Sequence, residues 1–306
     1  MATLTSDRAC GTAAALLLAS RYVLRDFAGG GGNLLFAALA LLGLELAFAG
    51  RGVLAGLPLA LSLVLKPNLA PLLLLLACRR RWSTLASTLV LGALLFLAPA
   101  IRFGPARYAE LASRWARDVA AYASLEDLGR ADLVPDGMPA PEKAMNQSLR
   151  DAVGRFARPP GDSGAPDVHV LEASPAVASA IARGLGLFLA ALACAAALRA
   201  RPGRGEAFAA LAFLPLALLL SPISWKAHHA ALLPLFFALA CEARASRGRG
   251  LWVLLAVTWV ACGLLSEEIV GDSAKEVLQS LSIVTIFDVV LLLAALRLAR
   301  RADAAP

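Results

Sequence analysis

The chain has 306 residues, of which 59% are hydrophobic and 17% charged, and its formal net charge is +7. Soluble domains are about 45–50% apolar, so this composition excludes an ordinary soluble domain and indicates an integral membrane protein. The positive charge does not indicate a nucleic-acid partner, because basic residues of membrane proteins collect on the cytoplasmic side. The five cysteines are scattered singly, without a metal-binding spacing, and the sequence predicts neither a metal site nor a cofactor.

Apolar runs recur along the whole chain, and a helix needs about 20 residues to cross a bilayer. The first run, 10–20, is about half that length and lacks the features of a signal peptide, so we interpret it as the remnant of a longer protein. Two further short runs lie at 53–65 and 68–78. The remaining runs predict membrane helices at 34–50, 83–101, 176–198, 206–220, 227–242, 250–265 and 281–298.

Lys66, Pro67 and Asn68 interrupt the segment 53–78. Proline cannot continue a helix and also disfavours helical backbone at the residue before it. The segment is therefore either one kinked span or a V-shaped pair that enters from the cytoplasmic side and returns to it. We favour the V-shaped pair, because it places both Arg51 and the arginines at 79–81 on the cytoplasmic side.

Residues 102–175 predict one long extracytoplasmic loop within a single membrane domain that spans 1–306. The loop begins with an amphipathic stretch that predicts either a helix lying on the outer leaflet or a substrate lid. Its apolar face comprises Tyr108, Leu111, Trp115, Val119 and Tyr122. Further along, Asn146 is the predicted N-cap of a short helix.

Arginine clusters occupy every second connection, which predicts that these connections are cytoplasmic. The clusters lie at 79–81, 199–204, 244–249 and 297–301. The intervening connections, which we predict outside, are 102–175, the turn 221–229 and the acidic segment 266–276.

The turn SPISWKAHH, 221–229, places a lysine and two histidines between two apolar segments. Ionisable side chains near the membrane are costly unless they are paired or face a wet cavity, so such residues indicate a functional site. Plainer explanations remain open. Lys66 and the two histidines can also serve as interfacial residues, and Trp225 is better explained as an interface anchor than as a platform for a sugar.

Four segments in order resemble glycosyltransferase family 87, and together they cover most of the chain. They are NLLFAALALLGL, AGLPLALSLVLKPNLAPLLLLLACRRRW, AMNQSLRDAVGRF and SPISWKAHHAALLPLFFAL. The resemblance implies an all-α, polytopic transmembrane helical bundle of the GT-C class in the bacterial cell (inner) membrane. It also implies inverting transfer of a hexose, expected to be mannose, from a polyprenyl-phosphate donor to a lipid or glycan acceptor of the envelope.

Such chemistry needs a carboxylate to deprotonate the acceptor and cationic or hydrogen-bonding groups to hold the departing phosphate. Members of the family usually carry the acidic base in a region that precedes the start of this chain, which leaves Asp26 as the candidate base. The expected donor and acceptor contacts are Asn33, Lys66, Asn146, Gln147, Ser148, Lys226, His228 and His229. Asn33 is included because family members often have a Gly-Gln-x-Asn pattern there.

Two other functions fit a lysine and histidines beside a broken helix. The first is a transporter or lipid flippase, although transporters tend to contain repeated halves and the break at Lys66 has no counterpart in the second half of the chain. The second is a truncated, inactive homologue that keeps the lipid pocket. Membrane lipids are expected partners under each interpretation.

Overall fold

The computed structural model describes residues 2–123, 145–159, 166–264 and 267–304, and these ranges contain helices and no strand. The predicted all-α membrane fold is confirmed. Two described helices, Trp82–Phe103 and Pro175–Arg199, are long and apolar enough to cross a bilayer alone. Counting each bent helix pair as one span raises that number to five among the described residues.

The helices of the N-terminal half are α1 (Ala2–Gly29), α2 (Asn33–Phe48), α3 (Gly52–Leu65), α4 (Leu72–Cys78), α5 (Trp82–Leu97), α6 (Pro99–Phe103), α7 (Pro105–Ala123) and α8 (Leu149–Ala157). Those of the C-terminal half are α9 (Pro175–Arg199), α10 (Arg204–Leu211), α11 (Phe213–Leu220), α12 (Leu233–Ala245), α13 (Arg249–Thr258), α14 (Glu267–Val270), α15 (Asp272–Ser280) and α16 (Ile283–Ala304). Short 3₁₀ helices occupy Pro67–Leu69 and Lys226–Leu232, and a π-helix occupies Trp259–Leu264.

Helix α1 extends well beyond the apolar run at 10–20, because helical structure continues through Arg21, Arg25 and Asp26. The chain then turns by 115° into α2. Gly30 and Gly32 make this turn with φ values of 62° and 63°. Glycine adopts this left-handed conformation without the steric penalty that a side chain would bring.

Helices α3 and α4 form the V-shaped pair that the sequence favoured. The two arms meet at a bend of 119°, and Lys66 at the bend has the extended backbone expected before a proline. The Arg81 guanidinium lies 5.5 Å from the centre of the Phe48 ring. The start and the end of the pair therefore lie at the same end of the bundle, and Lys66 lies at the tip of the V.

Small residues allow α3 to pack closely against its neighbours, a common device where membrane helices meet. A Cβ atom on Gly43 of α2 would lie 2.4 Å from Leu59, and one on Gly56 of α3 would lie 2.1 Å from the Ser87 hydroxyl of α5. Both distances are too short for any real side chain. The Ser62 hydroxyl of α3 also donates a 2.9 Å hydrogen bond to the Phe36 carbonyl of α2. This seam joins α3 closely to α2 and α5.

The arginine-rich connections gather at one end of the bundle. Arg79 forms a 2.6 Å ion pair with Glu206, and Arg204 pairs with Glu242. A cleft of about 720 Å³ at this end includes Arg204, Glu242 and Arg297 in its lining. The breaks in the helices, including Lys66 and the Lys226–Leu232 turn, lie at the opposite end.

The turn at Lys226–Leu232 shortens the span predicted at 227–242. The α-helix begins only at Leu233, because the preceding residues adopt the tighter 3₁₀ geometry. The turn therefore lies outside the helices that are candidates for crossing the membrane.

Helix α7 folds back onto the end of α5. The Tyr108 hydroxyl donates to the Phe96 carbonyl, and the Trp115 ring lies 6.3 Å from the Phe96 ring. Leu111, Trp115 and Val119 keep 37%, 52% and 37% of their surfaces exposed, so the apolar face is largely uncovered. The surface-helix and lid interpretations both remain predictions. The side chain of Tyr122 and the loop residues 124–144 and 160–165 lie outside the described residues.

The clustering of arginines predicts which connections face the cytoplasm. A reporter enzyme that is active only outside the cell membrane should work when fused after Asp272 and fail when fused after Pro202 or Gly248. Expression of each fusion is checked with an epitope tag. Activity at Pro202 and Gly248 with silence at Asp272 would reverse the orientation.

Candidate functional site

Three breaks in the helices converge on one small pocket. Asn33 comes from the break between α1 and α2, Lys66 from the tip of the V, and His228 from the 3₁₀ turn before α12. The pocket has a volume of about 20 Å³, which is room for about one water molecule. The structure therefore brings together three of the predicted site residues from distant parts of the sequence.

Asp26 is buried beside this pocket and caps helix α2. One carboxylate oxygen accepts hydrogen bonds from the Asn33 backbone and side chain at 3.1 and 2.6 Å, and the other accepts from the Leu34 backbone at 3.0 Å. A Cβ atom on Gly31 would lie 2.6 Å from the same carboxylate, so this approach requires glycine. The Asp26 carboxylate is also near enough to interact electrostatically with Lys66 and His228.

His228 is a neutral hydrogen-bonding group at this site. Its Nδ1 atom accepts a 3.1 Å hydrogen bond from the Trp225 backbone, so the neutral ring carries its proton on Nε2. Burial, with a further effect from the Lys66 charge, lowers the pKa of His228 to about 3. The ring also forms a hydrogen bond with the Ile223 backbone, in which the ring N–H is the donor because the contact favours the protonated ring. At neutral pH His228 is thus an uncharged donor, whereas burial lowers the pKa of Lys66 and the Asp26 charge opposes that shift.

The two adjacent histidines face different surroundings. His229 lies in the protein core, where its Nε2 atom is 2.8 Å from Asp288 and its Nδ1 atom is 2.9 Å from the Trp225 carbonyl. Its ring also contacts the Tyr22 ring at a centroid distance of 5.2 Å. The structure does not bring His229 into the pocket with Lys66.

Lys226 faces a second, larger cavity of about 550 Å³ on another side of the same turn. Residues lining this cavity include Arg21, Trp225, Trp259 and Lys275. Burial, and then the positive charge of Arg21, lower the pKa of Lys226 to about 8. Lys226 and His228 lie on the same short turn. The structure nevertheless places Lys226 outside the pocket that Lys66 and His228 line.

Asn146 and Gln147 hold the loop that leads into the turn. The Asn146 side chain donates to the Pro222 carbonyl at 2.8 Å and accepts from the Ser224 backbone at 2.8 Å. The Gln147 backbone donates to the Ser224 carbonyl at 2.8 Å, and its side chain donates to the Gln279 carbonyl at 3.0 Å. Both residues are buried, and neither lies in the pocket with Lys66.

The N-cap of α8 is Ser148, which corrects the prediction of Asn146. The Ser148 hydroxyl accepts a hydrogen bond from the Asp151 backbone at 3.3 Å, as an N-cap does. Asn146 instead bonds to the distant 222–224 loop, a long-range partner that local sequence could not reveal. Ser148 is fully buried and also lies away from the pocket of Lys66.

Two buried residues of this region were not recognised from the sequence. Arg155 donates to the Asn146 carbonyl and to the Ser282 hydroxyl, both at 2.8 Å, and thereby joins the loop to the start of α16. Burial lowers the pKa of Arg155 to about 10, so the side chain stays charged at neutral pH. Asp288 was also missed, although a lone carboxylate within the apolar run 281–298 is a recognisable signal.

The family model described as Glycosyltransferase family 87 matches residues 1–223. The chain belongs to glycosyltransferase family 87. Membership of family 87 makes this chain a membrane glycosyltransferase. The match includes Asp26, Asn33 and Lys66 and ends just before the turn that carries Lys226, His228 and His229. No curated protein and no solved structure matches the chain significantly.

The lowered pKa of His228 predicts a pH dependence of stability. The unfolded chain takes up a proton near pH 6.5, whereas the folded His228 does so only near pH 3. Its contribution to stability is therefore present above pH 6.5 and is lost as the pH falls, by about tenfold in the unfolding equilibrium per pH unit within that window.

Thermal unfolding in detergent measures this effect, with His228→Gln as the neutral reference. Between pH 7 and pH 5 the wild-type protein should lose more stability than the variant. Parallel curves for the two proteins would show that His228 protonates freely in the folded state.

Proposed function

We propose that this family 87 glycosyltransferase moves a hexose, expected to be mannose, from a polyprenyl-phosphate donor to a lipid or glycan acceptor of the bacterial cell envelope. The observation that carries the proposal is the meeting of Lys66, Asn33 and His228 beside the Asp26 carboxylate. A cation and neutral donors next to a carboxylate suit a reaction that releases a phosphate and accepts a proton.

In the proposed reaction, the acceptor hydroxyl oxygen attacks C1 of the donor sugar. The bond between C1 and the phosphate oxygen breaks, and the phosphate leaves with the electron pair. Lys66 supplies a charge-assisted contact to that phosphate, while Asn33 and His228 can donate neutral hydrogen bonds.

Asp26 is the candidate base for the acceptor proton. Its buried carboxylate lies beside the pocket, and within the described part of the chain one of its oxygens accepts a single hydrogen bond, from the Leu34 backbone. That oxygen retains a lone pair for a proton. The same side chain also caps α2. Loss of the base would lower the rate of transfer by folded protein, whereas loss of the cap would lower the amount of folded protein.

The proposed role of the pocket is tested with Lys66→Gln and His228→Gln. Lys66→Gln removes the charge from a contact to the phosphate worth about 1.5–3 kcal/mol, so transfer should fall by about ten- to a hundredfold. His228→Gln moves a neutral donor to a different position, so transfer should fall by a smaller factor. The measurement is sugar transfer from a polyprenyl-phosphate hexose donor in membranes with matched expression. Arg107→Gln, which removes an exposed cation from α7, is the control. Wild-type rates in both pocket variants would reject the pocket.

The base is tested with Asp26→Asn, which keeps the shape of the side chain but cannot accept the proton. General-base catalysis contributes about a hundred- to ten-thousandfold, so transfer per folded molecule should fall by at least a hundredfold. Donor binding, measured with a labelled polyprenyl phosphate, should persist. A rate that falls only in proportion to the loss of folded protein would restrict Asp26 to its capping role.

A wild-type protein that binds the donor without transferring sugar would support the alternative of an inactive homologue. Transport of the donor across vesicle membranes without sugar transfer would support the flippase alternative.

A further inference from the structure

The ion pair of His229 and Asp288 is a buried acid and base that the proposed reaction does not use. The two side chains are 2.8 Å apart and nearly free of solvent contact. Asp288 belongs to α16, beyond the residues matched by the family model. The Tyr22 ring and the Cys262 thiol lie beside the pair, and the Lys226 charge acts on His229.

The contacts of His229 fix the location of its protons. Nδ1 faces the Trp225 carbonyl at 2.9 Å, and because a carbonyl only accepts, Nδ1 must carry a hydrogen. Nε2 faces Asp288, so a single proton is shared between that nitrogen and the carboxyl group. The pair is neutral overall whichever group holds this proton, which limits the cost of burying it.

Hydrogen bonds to the backbone of Trp225 link this pair to His228. The Trp225 carbonyl accepts from the His229 ring and also from the His228 backbone, at 2.9 Å in each case. The Trp225 N–H in turn donates to Nδ1 of His228 at 3.1 Å. Asp288 thus holds the Trp225 carbonyl through His229, and the Trp225 N–H orients the ring of His228.

We propose that Asp288 is a positioning residue for His228, a role that rests on the proposed function of the pocket. Through His229 and the Trp225 backbone, Asp288 fixes the orientation and the tautomer of the His228 ring. The His228 N–H, which meets the Ile223 backbone in the free protein, is thereby held at the pocket in one orientation. A group held in its working geometry contributes more to a reaction than one that must first be ordered.

The tautomer of His228 is measured directly by ¹⁵N NMR of protein labelled at histidine, since the chain has only three histidines. Wild-type protein should show His228 protonated on Nε2 alone. Asp288→Ala should give a mixture of tautomers, whereas Asp288→Asn should keep the wild-type signal, because an amide can still donate to Nε2 of His229. Tyr22→Phe removes a hydroxyl from the same cluster and should change nothing. An unchanged His228 signal in Asp288→Ala overturns the proposal.

Transfer kinetics provide the second readout. Asp288→Ala should lower kcat/KM for the donor by about tenfold. Asp288→Asn should keep most of the wild-type kcat/KM. In a protein that already carries His228→Gln, Asp288→Ala should cause little further loss of kcat/KM, because Asp288 acts on the reaction through His228. Losses that multiply would assign Asp288 a general structural role and overturn the proposal.

The NMR result separates this proposal from the proposed function. Altered His228 tautomers in Asp288→Ala, combined with wild-type transfer in His228→Gln, would support the positioning contact and reject the catalytic use of the pocket.

Discussion

A helix that breaks inside an apolar bundle leaves backbone N–H and C=O groups without partners, and the polar end of this protein is organised around satisfying them. An unpaired buried backbone group costs about as much as a lost hydrogen bond or more. Asp26 meets this need at the start of α2, and Asn146 meets it in the loop before the turn. His229 does the same for the Trp225 carbonyl. The polar side chains thus stabilise the breaks in the helices, and the breaks position Lys66 and His228 at the pocket.

The three breaks differ in how much of their geometry could be read from the sequence. Pro67 alone implies that the helix stops at Lys66, and the arginines on both sides imply a return to the same end. The glycine cluster before Asn33 gave no such guidance, because its turn depends on a carboxylate seven residues earlier in the chain. Local rules therefore predicted the break at the tip of the V, and long-range contacts decided the one at α2.

The two adjacent histidines indicated where the site lies in the sequence, but not which surroundings each side chain faces. Residues of a 3₁₀ helix are about 120° apart, so neighbours must face different surroundings. His228 accordingly contacts the small pocket and its neighbour His229 contacts the core. A helical or extended turn would fit the same sequence, which is why the assignment required the structure. The N-cap is Ser148 and not the predicted Asn146 for a related reason. The partner of Asn146 lies 78 residues away in the sequence, and only the structure reveals it.

The contacts that complete the polar end also set the order in which it can form. Gln147 is joined to Thr285, 138 residues later, and His229 to Asp288, 59 residues later. Domains are synthesised from the N-terminus, so the V and its glycine seam can assemble while α16 is still inside the ribosome. The contact between His229 and Asp288 forms only after α16 enters the bundle. Biogenesis thereby delays the completed site until the rest of the chain is already embedded.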